Sequence, residues 1–223
     1  MIAAVLFDLD DTLFPQEVWL DGAWHAVAER AAAFGASRDE LYDALVAVGR
    51  GGSDQSRIIK SALARCGRTD IPVTPLVNAF REYAPESLDA YPGVVAGLSE
   101  LRDEMPVAVV TDGDPHIQLA KLRALRLGID TVICSDDLGR EHRKPDPLPF
   151  QTALETLGVA ACQAVYVGDR PDTDVAGAHG VGMRAIRVRT GAYAAMLNEI
   201  EPWCIVATAA EAIAIVRRER RTQ

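Results

Sequence analysis

Short runs of apolar residues recur along the chain, and their spacing predicts the strands of a buried sheet. They lie at 2–7, 107–110, 132–134, 164–167 and 185–188, with a weaker run at 204–206. Continuous apolar runs of this length are typical of strands buried on both faces, as in a parallel sheet. Helical periodicity separates them at 94–104, 117–127, 148–157 and 209–218, with a short, weakly patterned segment at 174–179. This alternation predicts an α/β fold with a doubly wound parallel sheet.

The region between the first two predicted strands breaks this pattern, because it contains helical segments and no convincing strand. Amphipathic stretches cover 18–34, 38–48, 53–66 and 75–83, with turn-forming residues at 49–52 and 69–75. The sequence therefore predicts a small helical domain over 15–90, inserted into an α/β core made of 1–14 and 91–223.

The composition excludes several classes of protein. With 23 Lys and Arg against 32 Asp and Glu, the net charge is −9, which disfavours binding to nucleic acid or to an anionic membrane. The chain has no apolar stretch long enough for a transmembrane helix, and its first apolar run stops at Asp8 rather than continuing as a signal peptide. The four cysteines form no C-x-x-C pair, so neither a zinc site nor a redox motif is predicted. We expect a cytoplasmic protein, a monomer or weak homodimer, with no membrane or nucleic-acid partner.

Acidic residues follow two of the predicted strands. Asp8 and Asp10 come after the first run, and Asp169 and Asp174 come after the run at 164–167. If these strands are neighbours, the four carboxylates converge at one edge of the sheet, where they would require a hard cation such as Mg²⁺. The structural alternative is that each acidic turn only caps the element that follows it.

Two further positions suit an anion. Thr111 ends the second strand and offers a hydroxyl beside the amides of the loop that begins at Asp112. Lys144 lies in a loop just before the helix at 148–157, where its ammonium would neutralise carboxylates and a phosphoryl oxygen. A threonine or a lysine at such a place is more often structural, and it is their order in the chain that gives them weight.

Taken in order, four segments of the chain resemble the four motifs of the haloacid dehalogenase superfamily of hydrolases. They are Asp8-x-Asp10-x-Thr12, Thr111, Lys144 and Gly168-Asp169-x-x-x-x-Asp174. The resemblance covers the whole chain, and no motif position departs from it. It implies a Rossmann-like core, with the helical insertion corresponding to that superfamily's subclass I cap.

The resemblance also implies catalytic roles. Asp8 would be the nucleophile that attacks phosphorus and becomes an aspartyl-phosphate. Asp10 would be the general acid for the leaving oxygen and then the general base for water. Thr111, Lys144 and the loop at Asp112 would bind the transferring phosphoryl group.

A metal site follows from the same resemblance. Mg²⁺ would be held by the carboxylates of Asp8 and Asp169 and by the backbone carbonyl of Asp10, with Asp174 supporting it through water. Such a site suits phosphoryl transfer, which asks mainly for positioning and for neutralised charge.

The sequence therefore favours a Mg²⁺-dependent phosphatase acting on a small phosphorylated metabolite, with the cap excluding bulk water. A phosphomutase or phosphotransferase of the same superfamily stays open, because nothing in the helical insertion identifies the acceptor. A 2-haloacid dehalogenase is less favoured, since those enzymes use no metal and lack an acid at the position of Asp10. A non-catalytic binding module is less favoured too, because the nucleophile and metal positions are all present. Sugar phosphates, phosphoglycolate and nucleotides all stay open as substrates.

Overall fold

A computed structural model describes residues 1–49 and 55–221. The chain divides into two compact units, an α/β unit made of Met1–Gln16 and Ser87–Gln223 and a helical unit made of Glu17–Glu86. Residues 50–52 of the predicted turn and the first residues of the helix predicted over 53–66 lie outside the described part of the chain. Whether the two units act as catalytic core and cap stays a prediction.

The α/β unit is built on a six-stranded parallel sheet, which confirms the predicted fold class. The strands are β1 (Ala4–Phe7), β2 (Val107–Thr111), β3 (Thr131–Cys134), β4 (Ala164–Gly168), β5 (Arg184–Val188) and β6 (Cys204–Val206). Their order across the sheet is β3-β2-β1-β4-β5-β6, and every pairing is parallel. Every residue of β1, β2 and β4 is buried, which explains why these strands are continuous apolar runs without alternation.

The helices agree closely with the periodic segments of the sequence. In chain order they are α1 (Gln16–Ala32), α2 (Arg38–Gly49), α3 (Gln55–Arg65), α4 (Val73–Glu82), α5 (Val94–Glu104), α6 (Pro115–Leu125), α7 (Ser135–Leu138), α8 (Pro147–Leu157), α9 (Ala176–Gly180) and α10 (Ala209–Arg221). A π-helical turn, Pro171–Val175, leads into α9. The four-residue α7 had no signal in the sequence pattern. Within the described residues, no helix combines the length and the apolar character that crossing a membrane requires.

Two helices start directly after loops that carry predicted site residues. The Asp114 carboxylate accepts a hydrogen bond from the backbone N–H of His116 at 3.0 Å and so caps α6. The Asp146 carboxylate caps α8 in the same way, through the N–H of Leu148 at 2.9 Å. Each cap is followed by a proline in the first turn, where the missing N–H costs nothing. The caps fix where each helix begins and thereby anchor the loops before them.

The helical unit has an aromatic core of its own. Trp19 and Trp24 on α1 are buried and pack against Phe80 on α4, with ring centroids 5.2 Å and 4.6 Å away. Gly22 lies against Tyr83, and a Cβ at that glycine would lie only 1.9 Å from the tyrosine hydroxyl. Packing of these rings holds α1 and α4 together.

Candidate active site

The ends of two neighbouring strands bring the predicted acidic residues together. β1 pairs with β4 with Phe7 opposite Val167, so Asp8 and Asp169 leave the sheet at the same edge. This edge lies where the strand order reverses direction, the usual place for ligands in an open α/β sheet. Asp8, Asp169 and Asp174 are all buried, and each offers a carboxylate oxygen within 4.8 Å of the others. The adjacency on which the sequence argument depended is therefore present.

Lys144 links two of these carboxylates. Its Nζ lies 2.5 Å from Oδ1 of Asp8 and 2.7 Å from Oδ1 of Asp174, and its side chain is only 4% exposed. The hydroxyl of Tyr166 lies 3.1 Å from the same Nζ and donates to the carbonyl of Val110 at 2.9 Å. Burial alone would lower the pKa of the lysine, but Asp174 and Asp8 raise it well above its usual value. Lys144 is therefore a fixed cation inside the cluster.

One ammonium does not balance three buried carboxylates. Burial raises the pKa of Asp8 to about 7, with Lys144 opposing the shift and Asp174 adding to it. Burial raises the pKa of Asp169 to about 9, and repulsion from Asp174 and Asp8 adds to it. The hydroxyl of Thr12 donates to Asp169, but at 3.5 Å. An all-oxygen, electron-rich and buried donor set of this kind fits a hard divalent cation.

A glycine makes room for the third carboxylate. A Cβ at Gly168 would lie 2.4 Å from Oδ2 of Asp174, closer than non-bonded atoms approach. The same Oδ2 accepts a hydrogen bond from the backbone N–H of Arg170 at 3.0 Å. Only glycine at 168 therefore allows the π-helical turn to bring Asp174 beside Asp8 and Asp169.

The fourth predicted carboxylate lies elsewhere. Asp10 is not part of the metal-binding group found among the described residues. Its oxygens accept hydrogen bonds from Nζ of Lys121 at 2.7 Å and 2.8 Å, and Oδ2 also accepts from Nε2 of Gln118 at 3.0 Å. The expected convergence of four carboxylates thus includes only three, because polar groups of α6 hold the fourth. The role of the Asp10 backbone carbonyl as a metal ligand stays a prediction.

Thr111 and Asp112 lie at the end of β2, where they contact Gln118 and Lys144. The hydroxyl of Thr111 is 2.6 Å from Nε2 of Gln118. The carboxylate of Asp112 accepts from the hydroxyl of Ser135 at 2.6 Å and from the backbone N–H of Lys144 at 3.1 Å. The Asp112 side chain therefore ties the loop after β2 to the first residue of α7 and to the loop that carries Lys144. Its predicted part in phosphate binding would have to come from its backbone amide.

Sequence reasoning missed Gln118, Lys121, Tyr166 and Ser135. Gln118 and Lys121 are each 2% exposed although they are polar residues on a helix, and Tyr166 is a hydroxyl-bearing residue inside an apolar strand. The available signal was a polar residue at a position where the helical periodicity predicts a buried, apolar one, as for Gln118 and Lys121. The sequence could not show that Lys121 pairs with Asp10, because the two residues are 111 positions apart in the chain.

Comparisons with known proteins identify a family and several relatives to which this chain is similar. Residues 2–182 match the family model of the haloacid dehalogenase-like hydrolases. Glyceraldehyde 3-phosphate phosphatase of Methanopyrus kandleri is 38% identical, over 91% of this chain and 88% of that protein. Ribulose-1,5-bisphosphate 5-phosphatase of Halopiger xanaduensis is 32% identical, over 83% of this chain and 84% of that protein.

A solved structure extends the comparison to the fold. The crystal structure of 2-haloacid dehalogenase from Pseudomonas syringae pv. Tomato DC3000 has a TM-score of 0.69 and 27% identity to this chain, and the match covers 98% of this chain and 100% of that one. The family model and the curated relatives together cover most of the chain. The chain therefore belongs to the haloacid dehalogenase-like hydrolase family, as its four motifs predicted, and its curated relatives place it with the phosphatases of that family.

Proposed function

We propose that this chain is a Mg²⁺-dependent phosphatase that removes phosphate from a small phosphorylated metabolite through an aspartyl-phosphate at Asp8. The observation that carries the proposal is the buried cluster of Asp8, Asp169 and Asp174, with Lys144 bound between two of them. A buried carboxylate with a cation beside it at a ligand-binding edge is what covalent phosphoryl transfer needs.

Mg²⁺ would be held by the carboxylates of Asp8 and Asp169, with Asp10 contributing its backbone carbonyl and Asp174 supporting from nearby. When bound, the ion would neutralise negative charge on the phosphoryl oxygens. The raised pKa values of Asp8 and Asp169 support this assignment, because they reflect buried negative charge for which the described protein groups supply too little compensation.

In the first half-reaction, a carboxylate oxygen of Asp8 attacks phosphorus and forms a new P–O bond. The bond between phosphorus and the substrate oxygen breaks, and the leaving oxygen takes its proton from Asp10. Lys144 and Thr111 would hold two oxygens of the transferring group. The contacts of Lys144 with Asp8 support this, because they keep the ammonium at the point of attack.

In the second half-reaction, water attacks the phosphorus of the aspartyl-phosphate and gives a proton to Asp10. The P–O bond to Asp8 breaks, which restores its carboxylate and releases inorganic phosphate. Asp10 thereby recovers the proton that it lost in the first half-reaction.

The relatives support a substrate of a particular size. Two of them are named for glyceraldehyde 3-phosphate and ribulose 1,5-bisphosphate, which are phosphorylated three-carbon and five-carbon sugars. We propose a phosphorylated metabolite of that size for this chain. The cap role of the helical unit, the cytoplasmic location and the state of monomer or weak homodimer stay predictions.

A second candidate is dehalogenation, which the structural match to a 2-haloacid dehalogenase favours. Halide leaves carbon without a proton, so that reaction has no use for an acid at Asp10. The presence of Asp10 and of the buried cluster of Asp8, Asp169 and Asp174 favours the phosphatase.

The test is hydrolysis of p-nitrophenyl phosphate by the whole chain with Mg²⁺, with EDTA, and in Asp8→Asn. We expect turnover that requires both the metal and Asp8 and that survives in Asp130→Asn, a matched control at an exposed aspartate. Turnover that persists in Asp8→Asn would contradict the proposal. Metal-independent halide release from 2-chloropropionate would favour the dehalogenase instead. If a sugar is added as acceptor, transfer of the phosphoryl group from p-nitrophenyl phosphate to a sugar hydroxyl would identify a phosphotransferase.

A further inference from the structure

Helix α6 carries two polar side chains on its buried face, Gln118 and Lys121. They are three residues apart and so lie one turn apart on the same side of the helix. Each residue is only 2% exposed. Placing an amide and an ammonium inside a protein costs free energy unless both are hydrogen-bonded, and an apolar side chain would pack there at less cost. Their presence calls for a role other than packing.

Both side chains converge on the carboxylate of Asp10. Nζ of Lys121 donates to both oxygens at 2.7 Å and 2.8 Å, and Nε2 of Gln118 donates to Oδ2 at 3.0 Å. The carboxylate is 19% exposed, so one side of it remains open toward solvent. Contacts to both oxygens fix the rotation of the carboxylate as well as its position.

Gln118 also connects Asp10 to the end of β2. Its Nε2 lies 2.6 Å from the hydroxyl of Thr111 and 3.1 Å from the carbonyl of Asp112. One amide therefore sets the distance between Asp10 and the strand end where the phosphoryl group is expected to bind.

We propose that Gln118 and Lys121 are positioning residues that hold the Asp10 carboxylate where it exchanges protons with the leaving group and with water. This inference rests on the proposed function, because it requires Asp10 to serve as the general acid and base. The two residues act through Asp10, and a small displacement of a proton-transferring group costs a large part of its catalytic contribution.

The experiment compares two phosphate esters that differ in their need for a proton. Phenol is a weak acid and must be protonated as it leaves, whereas 2,4-dinitrophenol leaves readily as an anion. In Lys121→Met we expect kcat/KM for phenyl phosphate to fall about 100-fold, the contribution typical of general acid catalysis, and that for 2,4-dinitrophenyl phosphate to fall by less than about 5-fold. A loss of folding or of metal binding would lower both values equally.

Three further variants complete the test. Arg123→Met, at an exposed position on the same helix, is expected to leave both values unchanged. Adding Lys121→Met to Asp10→Asn should cause no additional loss with phenyl phosphate, because the lysine acts through the carboxylate. Gln118→Met is compared on the same two esters, and its result tests the positioning role if Lys121→Met does not fold.

The outcomes separate this inference from the proposed function. Equal losses on the two esters, no loss on either, or an additive loss in the double variant would overturn the positioning role alone. If Asp8→Asn hydrolysed the phosphate esters as fast as wild type, the proposed function and the positioning role would both be overturned.

Discussion

Replacing Asp169 by asparagine should stabilise the metal-free protein at pH 8 while removing its response to Mg²⁺. In the folded chain, burial raises the pKa of Asp169 to about 9, with Asp174 and Asp8 adding to the shift, whereas the ordinary value is 3.8. Between these two values the folded state keeps a proton that the unfolded state has lost. Stability therefore falls as the pH rises, the reverse of what an ion-paired aspartate produces.

The size of the effect follows from the pKa difference. Each pH unit in the interval costs about 1.4 kcal/mol, so a rise from pH 5 to pH 8 costs up to about 4 kcal/mol from this one group. In a chain of this length, 1 kcal/mol corresponds to roughly 2–4 °C in Tm. An amide mimics the neutral carboxyl, so Asp169→Asn should flatten the pH dependence and raise Tm at pH 8 by several degrees.

The assay is thermal unfolding of wild type and variant at pH 5 and pH 8, each in EDTA and in Mg²⁺. Wild type should gain Tm from Mg²⁺ more at pH 8 than at pH 5, because protons compete with the metal, and the variant should gain none. A variant that is less stable than wild type in EDTA at pH 8 would refute the reasoning.

A control with the opposite sign is available in Asp136→Asn. Hydrogen bonds from Arg143 hold the pKa of Asp136 below its usual value. Its ionised form therefore contributes stability above pH 4 that is lost as the pH falls. Since solvent screens the partly exposed Arg143, we expect Asp136→Asn to lower stability at pH 8 by about 1 kcal/mol. If Asp136→Asn also stabilised the protein, a rise in Tm in Asp169→Asn could not be attributed to the raised pKa of Asp169.

Three further predictions concern single positions. Lys144→Met should lower kcat for an aryl phosphate by at least about 100-fold, because a fixed cation is lost from the transferring group, and a loss below tenfold would contradict this role. Gly168→Ala should weaken Mg²⁺ binding, measured by calorimetry, by about 10-fold or more, because its methyl group would displace Asp174. Gly180→Ala is the matched control, since a Cβ there would meet no atom within 4 Å apart from its chain neighbours and the backbone of its own helix. Phe80→Ala should cost the helical unit about 3–5 kcal/mol in urea unfolding, and a cost below 1 kcal/mol would contradict its place in the aromatic core.

Most of the fold was readable because it depends on local patterns. Even the three-residue strand β6, with its half-buried residues, was visible as a short apolar run, since a parallel sheet buries most of its strands on both faces. The short helix α7 was not readable, because four residues are too few to show a periodicity. The helix predicted from residue 117 begins about two residues earlier in the structure, because the capping Asp114 and the proline after it set the first turn.

The sequence by itself determined which residue types stand at the ends of the strands, and in what order. Asp8, Thr111, Lys144 and Asp169 could be named because each follows an apolar run or precedes a helix, and because their order along the chain resembles the four motifs of the family. The sequence predicted that Asp8 and Asp169 lie together only if their strands are neighbours. The observed strand order shows that β1 and β4 are neighbours.

Only the tertiary structure decided which polar groups surround each carboxylate. It separated Asp10 from the other acidic residues and gave it Lys121, a partner more than one hundred positions away. It also placed Lys144 between Asp8 and Asp174. The physical reason is that hydrogen bonds and ion pairs act over about 3 Å of space, whereas a sequence pattern records only spacing along the chain.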